Sequence, residues 1–132
     1  MKGKRHLGVC SWSLQAASPA ELAERVRAAG LECVQLALDP LRSGAWSLEA
    51  TREALSAAGI ELRSGMMGTL GEDYSTLDTI RTTGGVRPDA HWEANRQAAS
   101  ASARLARELG LELITFHAGF LPEERGPERT KL

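Results

Sequence analysis

The sequence predicts an α/β fold in which parallel strands and helices alternate in the order βαβαβαβ. Three segments repeat one pattern, a helical stretch that ends in glycine and is followed by an apolar residue and a glutamate; they lie at 28–32, 58–61 and 109–112. Such a glycine can adopt the left-handed backbone angle that ends a helix, and the residues after it suit a buried parallel strand. A further strand-like run at 7–12 comes first. Repeated βα units form a barrel or an open sheet, and in both the functional residues follow the carboxyl ends of the strands.

The first helix has a strong start signal. Ser18 is followed by proline and, three positions on, by Glu21. This is a capping box with Pro19 at the first helical position, because the glutamate can reach back to the residue that caps the helix. The pattern predicts a helix that runs to Ala29.

Two further helices follow from similar signals. Ser47 precedes a helical pattern with Glu49 in its first turn, where the helix dipole favours a negative charge, and the pattern ends at Ala58. The third helix is predicted from about Asp89 to Leu109, since its alanine-rich body is a good helix former.

The spacing of the repeated glycines shows where the chain is elaborated. Gly30 and Gly59 are 29 positions apart, whereas Gly59 and Gly110 are 51 apart, a surplus of 22. We assign the surplus to a loop at 68–88, directly after the third strand. Long loops without regular structure usually cover or line a binding site, although a merely tolerated insertion is the alternative.

Aligning the repeats on their glycines predicts which strand residues share a face, because alternate residues of a strand point the same way. One face should be apolar and pack against the helices, and it comprises Val34, Leu36, Ile114 and Phe116. Arg63 and Gly65 interrupt that pattern in the third strand. The opposite, interior face should carry three rows: Cys33, Leu62 and Leu113; Gln35, Ser64 and Thr115; Ala37, Met66 and His117.

His117 is the candidate catalytic residue. It ends the last strand and is followed by Ala118 and Gly119. An imidazole at that position can bind a metal, move a proton or hydrogen-bond a substrate hydroxyl, while a purely structural histidine is the alternative.

Candidate substrate-binding residues lie at the other strand ends and on the long loop. Trp12 can form a wall on which a sugar ring or base stacks, or can simply pack in the core. Gln35 and Met66 belong to the interior face. Glu72 and Tyr74, with their neighbour Asp73, can close over a ligand, as can His91 and Trp92, although a solvated loop face also explains the charged residues.

Composition excludes several classes of function. The 16 basic and 17 acidic residues are evenly spread and give a net charge of −1, so no nucleic-acid partner is expected. The chain has no apolar run of the roughly 20 residues that a membrane span needs, and no adequate secretion signal. Cys10 and Cys33 fall in predicted strands as reduced thiols, which favours a cytoplasmic protein. We find no glycine-rich phosphate cradle and no cysteine–histidine cluster with zinc-site spacing.

Four segments of the chain resemble a known family. They are 30–36, 57–62, 71–76 and 113–120, and the last carries a His-Ala-Gly sequence at the end of its strand. They resemble the amino-terminal half of the sugar phosphate isomerase/epimerase-like group among the xylose-isomerase-like TIM barrels. The resemblance implies that residues 1–132 form a partial, half TIM barrel.

The same resemblance implies a chemistry. Members of that superfamily are commonly enzymes that use a divalent metal (Mn, Mg, Zn or Co) to move a proton between adjacent carbons of a sugar, and His117 matches their strand-four position. Gln35 stands where many relatives have glutamate. The relatives' metal ligands lie mainly on strands five to eight, so this chain is expected to be inactive alone and possesses either an incomplete metal site or none.

A half barrel leaves two strand edges unpaired, which predicts a homodimer or a higher oligomer. The ending from Gly126 onward reads as the start of a further helix, which we expect to be cut short. The ligand expected for the parent barrel is a small sugar or polyol. Two alternatives stay open: a half-barrel assembly module without catalysis, and an endonuclease IV-like DNA repair enzyme.

Overall fold

The computed structural model describes residues 6–131 of the chain. Its strands are β1 (Gly8–Cys10), β2 (Cys33–Ala37), β3 (Glu61–Met66) and β4 (Ile114–Thr115). Its helices are α1 (Ser11–Leu14), α2 (Pro19–Ala28), α3 (Asp39–Arg42), α4 (Leu48–Ala57), α5 (Leu77–Thr83), α6 (Trp92–Leu109), which follows a 3₁₀ turn at Asp89–His91, and α7 (Pro127–Lys131). None of the helices in this range has the length and apolarity of a membrane span.

The chain divides into two compact units. The first, here called the sheet unit, comprises the chain up to Met67 together with 102–115. The second, here called the loop unit, comprises 68–101 and the chain from Phe116 onward. All four strands therefore belong to the sheet unit.

The four strands form one parallel sheet in the order β1-β2-β3-β4. Each strand lies beside the next one along the chain, as in successive βα units of a barrel. A doubly wound sheet would instead reverse its strand order at a switch point. The predicted parallel βαβαβαβ order is thus confirmed.

The helices cover one face of the sheet. Val34 and Leu36 of β2 are completely buried in an apolar cluster. The helices α2, α4 and α6 contribute Leu22, Ala23, Val26, Leu55 and Ala106 to it. The predicted starts of two of these helices are confirmed, since Ser18 Oγ accepts a hydrogen bond from the Glu21 amide at 3.2 Å and Ser47 Oγ one from the Ala50 amide at 3.1 Å.

The opposite face of the sheet is polar at its centre. Gln35 Nε2 donates hydrogen bonds to Ser64 Oγ at 3.2 Å and to Thr115 Oγ1 at 3.1 Å. These three side chains come from β2, β3 and β4 and share a face, as predicted. Their mutual bonding meets the requirement that polar groups away from solvent find partners.

The predicted strand register is wrong in two places. Between Val34 and Gln35 the β2–β3 pairing shifts, so that Cys33 pairs with Glu61 and Val34 with Leu62. Leu62 therefore lies opposite Val34, on the helix-covered side, and not beside Cys33. Arg63 is the extra residue of this irregularity, which explains why it interrupted the apolar pattern.

The second register error concerns β4. Thr115 pairs with Met66 and not with Ser64 as predicted. A shift of two residues along a strand preserves the face on which a side chain lies. Thr115 therefore still lies on the same face as Gln35, as predicted, and the two side chains are hydrogen-bonded. The strand also ends at Thr115, which leaves Phe116 outside it and 50% exposed, not packed against the helices.

Three short helices contradict sequence-based expectations. The predicted loop at 68–88 contains α5, whose cap Thr76 accepts from the Thr79 amide at 3.1 Å. The signal was missed because Thr79 completes the capping box where glutamate or glutamine is usual. Trp12 lies in α1, not at the end of a strand, and α3 was not predicted.

Candidate functional site

His117 lies two residues beyond β4, in the loop unit. Its carbonyl oxygen accepts a hydrogen bond from the Val86 amide at 3.1 Å, and the next carbonyl, of Ala118, accepts one from the Arg87 amide at 3.2 Å. Two backbone bonds thus fix the segment that carries the imidazole. The predicted insertion supplies both donors.

Glycine permits this close backbone approach. Gly85 and Gly119 have φ angles of 76° and 100°, which side chains rarely allow. A Cβ atom at Gly85 would lie 2.2 Å from the Gly119 nitrogen, and one at Gly119 would lie 2.4 Å from the Gly84 oxygen. Neither position accepts a side chain without moving the backbone.

Glu72 connects the long insertion to His117. Its Oε1 accepts a hydrogen bond from the Gly85 amide at 2.8 Å and lies 3.5 Å from His117 Nδ1. Its Oε2 accepts from the Tyr74 hydroxyl at 3.2 Å. The Glu72 side chain is partly buried, at 15% exposed, whereas the His117 side chain is 56% exposed. The structure therefore brings three of the predicted site residues together.

The surroundings of Glu72 favour its charged form. Burial acts to raise its pKa, but the Thr69 hydroxyl, the Gly85 amide, the Tyr74 hydroxyl and the nearby His117 together hold the pKa below its usual value. Burial also raises the pKa of Tyr74, and the charge of Glu72 raises it further. Glu72 is therefore a carboxylate and Tyr74 a neutral phenol near neutral pH.

The hydrogen bonds also select a tautomer of His117. The Tyr74 hydroxyl has one proton, which it donates to Glu72, while its oxygen lies 3.1 Å from His117 Nδ1. This second contact is favourable when Nδ1 carries the imidazole proton and the phenol oxygen accepts it. The neutral ring then has an unprotonated Nε2, which can accept a proton, accept a hydrogen bond or bind a metal.

An open cavity adjoins His117. Its volume is about 540 Å³, within the range of small-molecule sites. Its lining combines the imidazole with two aromatic rings and the glycine-rich backbone, and comprises Gly84, Gly85, Phe116, His117, Ala118, Gly119, Phe120 and Leu121. An apolar wall beside one basic nitrogen suits a small ligand with hydroxyl groups on one side.

Three other predicted site residues belong to the sheet unit. Trp12 is 39% exposed and lines a separate cavity of about 480 Å³ with Asp39, Arg42 and Trp46. Gln35 bonds to Ser64 and Thr115 as described and lines a cavity of about 390 Å³. Met66 is half-buried on β3. The roles of all three in binding stay predictions.

The remaining loop-unit candidates have structural partners. Asp73 accepts a hydrogen bond from the Ser75 amide at 2.8 Å, which defines a local turn. The Trp92 ring lies 4.1 Å from the Lys131 ammonium, a cation–π contact. The His91 ring lies against Gly71, where a Cβ atom would be 2.2 Å from it.

The donor set near His117 does not fit a complete metal centre. Glu72 and His117 offer two ligand atoms there. Across residues 6–131, one group of three or more histidine, cysteine or acidic side chains lies close enough to hold an ion, and it is elsewhere: His6, Cys33 and Glu61. A divalent metal at His117 would therefore need further ligands.

The sequence did not reveal the residues that shape the site but have no chemical role in it. Gly84 and Gly85 carry a recognisable turn signal, but nothing local indicates that they approach Gly119. The hydroxyl of Thr69 is buried without a hydrogen bond of ordinary geometry, although it favours the charge of Glu72. Phe116 was assigned to the core because its strand was predicted two residues too long.

The structure is similar to the crystal structure of a xylose isomerase domain protein from Planctomyces limnophilus. The TM-score is 0.76 at 21% sequence identity, and the match covers 99% of this chain and 47% of that one. The chain thus spans about half the length of the solved structure it matches. No protein-family model and no curated protein matches the sequence.

The similarity confirms the predicted fold class and the predicted resemblance at the level of fold. The chain has an α/β fold of four parallel strands, and this fold matches about half of that solved structure.

Proposed function

We propose that this chain provides part of the active site of a metal-dependent sugar or sugar phosphate isomerase or epimerase. The observation that supports it is the group formed by Glu72, Tyr74 and His117 beside an open cavity. The similarity to a xylose isomerase domain protein supports this reaction class, and proton transfer between sugar carbons needs an acid or base of the kind that His117 provides.

The three side chains have separate roles in this proposal. His117 accepts a proton or a substrate hydrogen bond at Nε2. Glu72 and Tyr74 are positioning residues, since they hold the ring through Nδ1 and stabilise it when it becomes charged. Phe116 and Phe120 provide the apolar wall against which a sugar ring or chain lies.

The chain alone is expected to bind such a ligand weakly and to turn it over slowly or not at all. A divalent metal would polarise the carbonyl next to the reacting carbon, but Glu72 and His117 supply two donors where a catalytic centre usually has three protein ligands. The missing groups would come from other parts of the assembled barrel.

Binding can be tested by NMR with an imidazole-labelled protein and two probes, xylulose and xylitol. We expect the His117 resonances to shift and His91 to remain unchanged, with a dissociation constant in the millimolar range, roughly that of a few hydrogen bonds and one stacked face. Glu72→Gln should weaken the shift and His91→Ala should not. Unchanged His117 resonances at saturating probe would contradict the proposal.

Activity can be tested separately by following solvent deuterium into the carbon-bound positions of xylulose, with and without Mn²⁺. We expect no exchange above the uncatalysed rate from this chain alone. Metal-dependent exchange that disappears in His117→Ala would contradict the inactive-alone expectation while supporting the site assignment.

A half-barrel assembly module is the second candidate. The observation that favours it is the sheet itself, in which β1 and β4 are edge strands that pair on one side. Two copies could complete eight strands by pairing each β4 with the partner's β1. Sedimentation equilibrium tests this, and a folded monomer at high concentration would count against it. An endonuclease IV-like activity is less well supported, since the charge is balanced and, within residues 6–131, His117 is the one histidine that follows the carboxyl end of a strand.

A further inference from the structure

We propose that His6, Cys33 and Glu61 form a binding site for Zn²⁺ or a similar borderline ion at the amino-terminal ends of the first three strands. One ligand atom from each of these side chains lies within 4.8 Å of the others. The site belongs to the sheet unit and uses no residue of the Glu72–Tyr74–His117 group, so it is independent of the proposed function.

Strand pairing brings the three residues together. Cys33 begins β2 and pairs with Gly8 on one side and with Glu61, the first residue of β3, on the other. His6 precedes Gly8 by two positions, and alternate residues of an extended chain lie on the same face. Three ligands that are far apart in the sequence therefore meet at one end of the sheet.

The strand irregularity at Arg63 places the carboxylate of Glu61 beside Cys33, where it can be the third ligand. Without the extra residue, the regular register would place Leu62 beside Cys33. The shift instead pairs Cys33 with Glu61. Gly8 contributes by its lack of a side chain, since a Cβ atom there would lie 2.9 Å from the Cys33 carbonyl oxygen.

The ligand types indicate the ion. A thiolate, an imidazole and a carboxylate together suit Zn²⁺ or Co²⁺, whereas Mg²⁺ and Ca²⁺ prefer oxygen ligands alone. Tetrahedral zinc with bonds of about 2.0–2.3 Å separates its ligand atoms by roughly 3.3–3.8 Å. Side-chain movements of about 1 Å would bring the three ligand atoms, which now lie within 4.8 Å of one another, to that separation.

The surroundings leave room for the ion and for its fourth ligand. His6 and Cys33 line a cavity of about 390 Å³. Cys33 is 4% exposed, whereas His6 and Glu61 are exposed and can adjust. Arg63 Nη2 lies 2.9 Å from Glu61 Oε2, so the ion must share the carboxylate with this guanidinium or displace it. A water or another ligand would take the fourth position, as in zinc sites with three protein ligands.

Such an ion would tie together the starts of β1, β2 and β3. Because the ligands are dispersed in the unfolded chain, metal binding is coupled to folding and should raise the temperature of unfolding. No zinc-site spacing is visible in the sequence because the three ligands come from segments that are far apart along the chain.

Cobalt titration of the full chain, with both cysteines reduced, tests the site. We expect one Co²⁺ to bind with a near-ultraviolet thiolate-to-cobalt charge-transfer band, and Zn²⁺ to displace it. Cys33→Ser should abolish the band. Cys10→Ser should retain it, since Cys10 lines the same cavity but is not one of the three ligands.

If Cys33→Ser fails to fold, variants of the two exposed ligands still test the site. His6→Ala and Glu61→Gln should each weaken cobalt binding at least about tenfold and reduce the zinc-dependent rise in unfolding temperature. His91→Ala is the matched control and should behave as the unmodified chain. No band at millimolar Co²⁺, a band that depends on Cys10, or unchanged affinity in both His6→Ala and Glu61→Gln would overturn the proposal.

Discussion

The sheet unit contains every member of the apolar core cluster, whereas the described contacts that organise the loop unit around His117 are polar or depend on glycine. In the sheet unit, residues such as Leu22, Val34 and Leu36 are completely buried. In the loop unit, the His117 carbonyl accepts a hydrogen bond from the Val86 amide, and the His117 imidazole contacts the Tyr74 hydroxyl at 3.1 Å and the Glu72 carboxylate at 3.5 Å. Burial of apolar side chains stabilises the sheet unit, whereas hydrogen bonds and close backbone contacts position the residues of the candidate site.

The largest expected effect lies in the sheet unit. Leu36→Ala removes a fully buried side chain from the core cluster and should lower the free energy of unfolding by about 2–5 kcal/mol. Denaturant unfolding measures it. Leu77→Ala is the control, because Leu77 of the loop unit is 85% exposed and its loss should change stability by about 0.5 kcal/mol or less. Equal effects would show that burial does not distinguish the two units.

The second prediction compares two glycine substitutions, one that adds both backbone strain and a steric collision and one that adds strain alone. Gly85→Ala should cost about 2 kcal/mol or more, because the new Cβ would collide with the Gly119 nitrogen and φ is already 76°. Gly110→Ala shares the positive φ, at 73°, but its Cβ would meet nothing within 4 Å. It should cost about 1 kcal/mol.

Hydrogen exchange shows where the damage falls. Gly85→Ala should speed exchange at Val86 and Arg87, whose amides bond to 117 and 118, and leave the β2 amides protected. Equal costs for the two glycine variants would contradict the close approach.

Predictability from sequence follows the same division. The bounds of α2 and α4 were predicted within one residue, because periodic apolar residues and caps such as Ser18 and Ser47 are local signals. The register at Arg63 was not, since an irregularity in pairing depends on two strands at once. The contact of Glu72 with His117 joins residues 45 positions apart and has no local pattern, so the sequence supplied the candidates but not their arrangement.

The third prediction concerns the charge of Glu72. Glu72→Gln keeps the shape but loses charge-assisted hydrogen bonds with Gly85 and Tyr74, and should lower the free energy of unfolding by about 1–2 kcal/mol at pH 7. Because the folded pKa of Glu72 lies below its usual value of 4.5, its contribution is present above that pH and is lost as the pH falls through the folded pKa.

The difference between the unmodified chain and Glu72→Gln should therefore shrink as the pH is lowered from 7 to about 3. Urea unfolding at both pH values measures it. Asp73 and Asp89 also have lowered pKa values, but both proteins contain them, so their contributions cancel. A difference that grows towards acid pH would mean that the carboxylate is destabilised by burial and not held by its partners.

The smallest expected effect compares two helix caps of the same kind. Ser47 caps α4 in the sheet unit, and Thr76 caps α5 in the loop unit, each by accepting one amide hydrogen bond at 3.1 Å. Ser47→Ala should lower global stability by about 1 kcal/mol, because α4 packs into the core cluster and cannot fray alone. Thr76→Ala removes a similar bond from a helix that has no buried residue, so it should mainly increase hydrogen exchange within α5 and change global unfolding less. A global loss as large as that of Ser47→Ala would show that the loop unit unfolds together with the sheet unit.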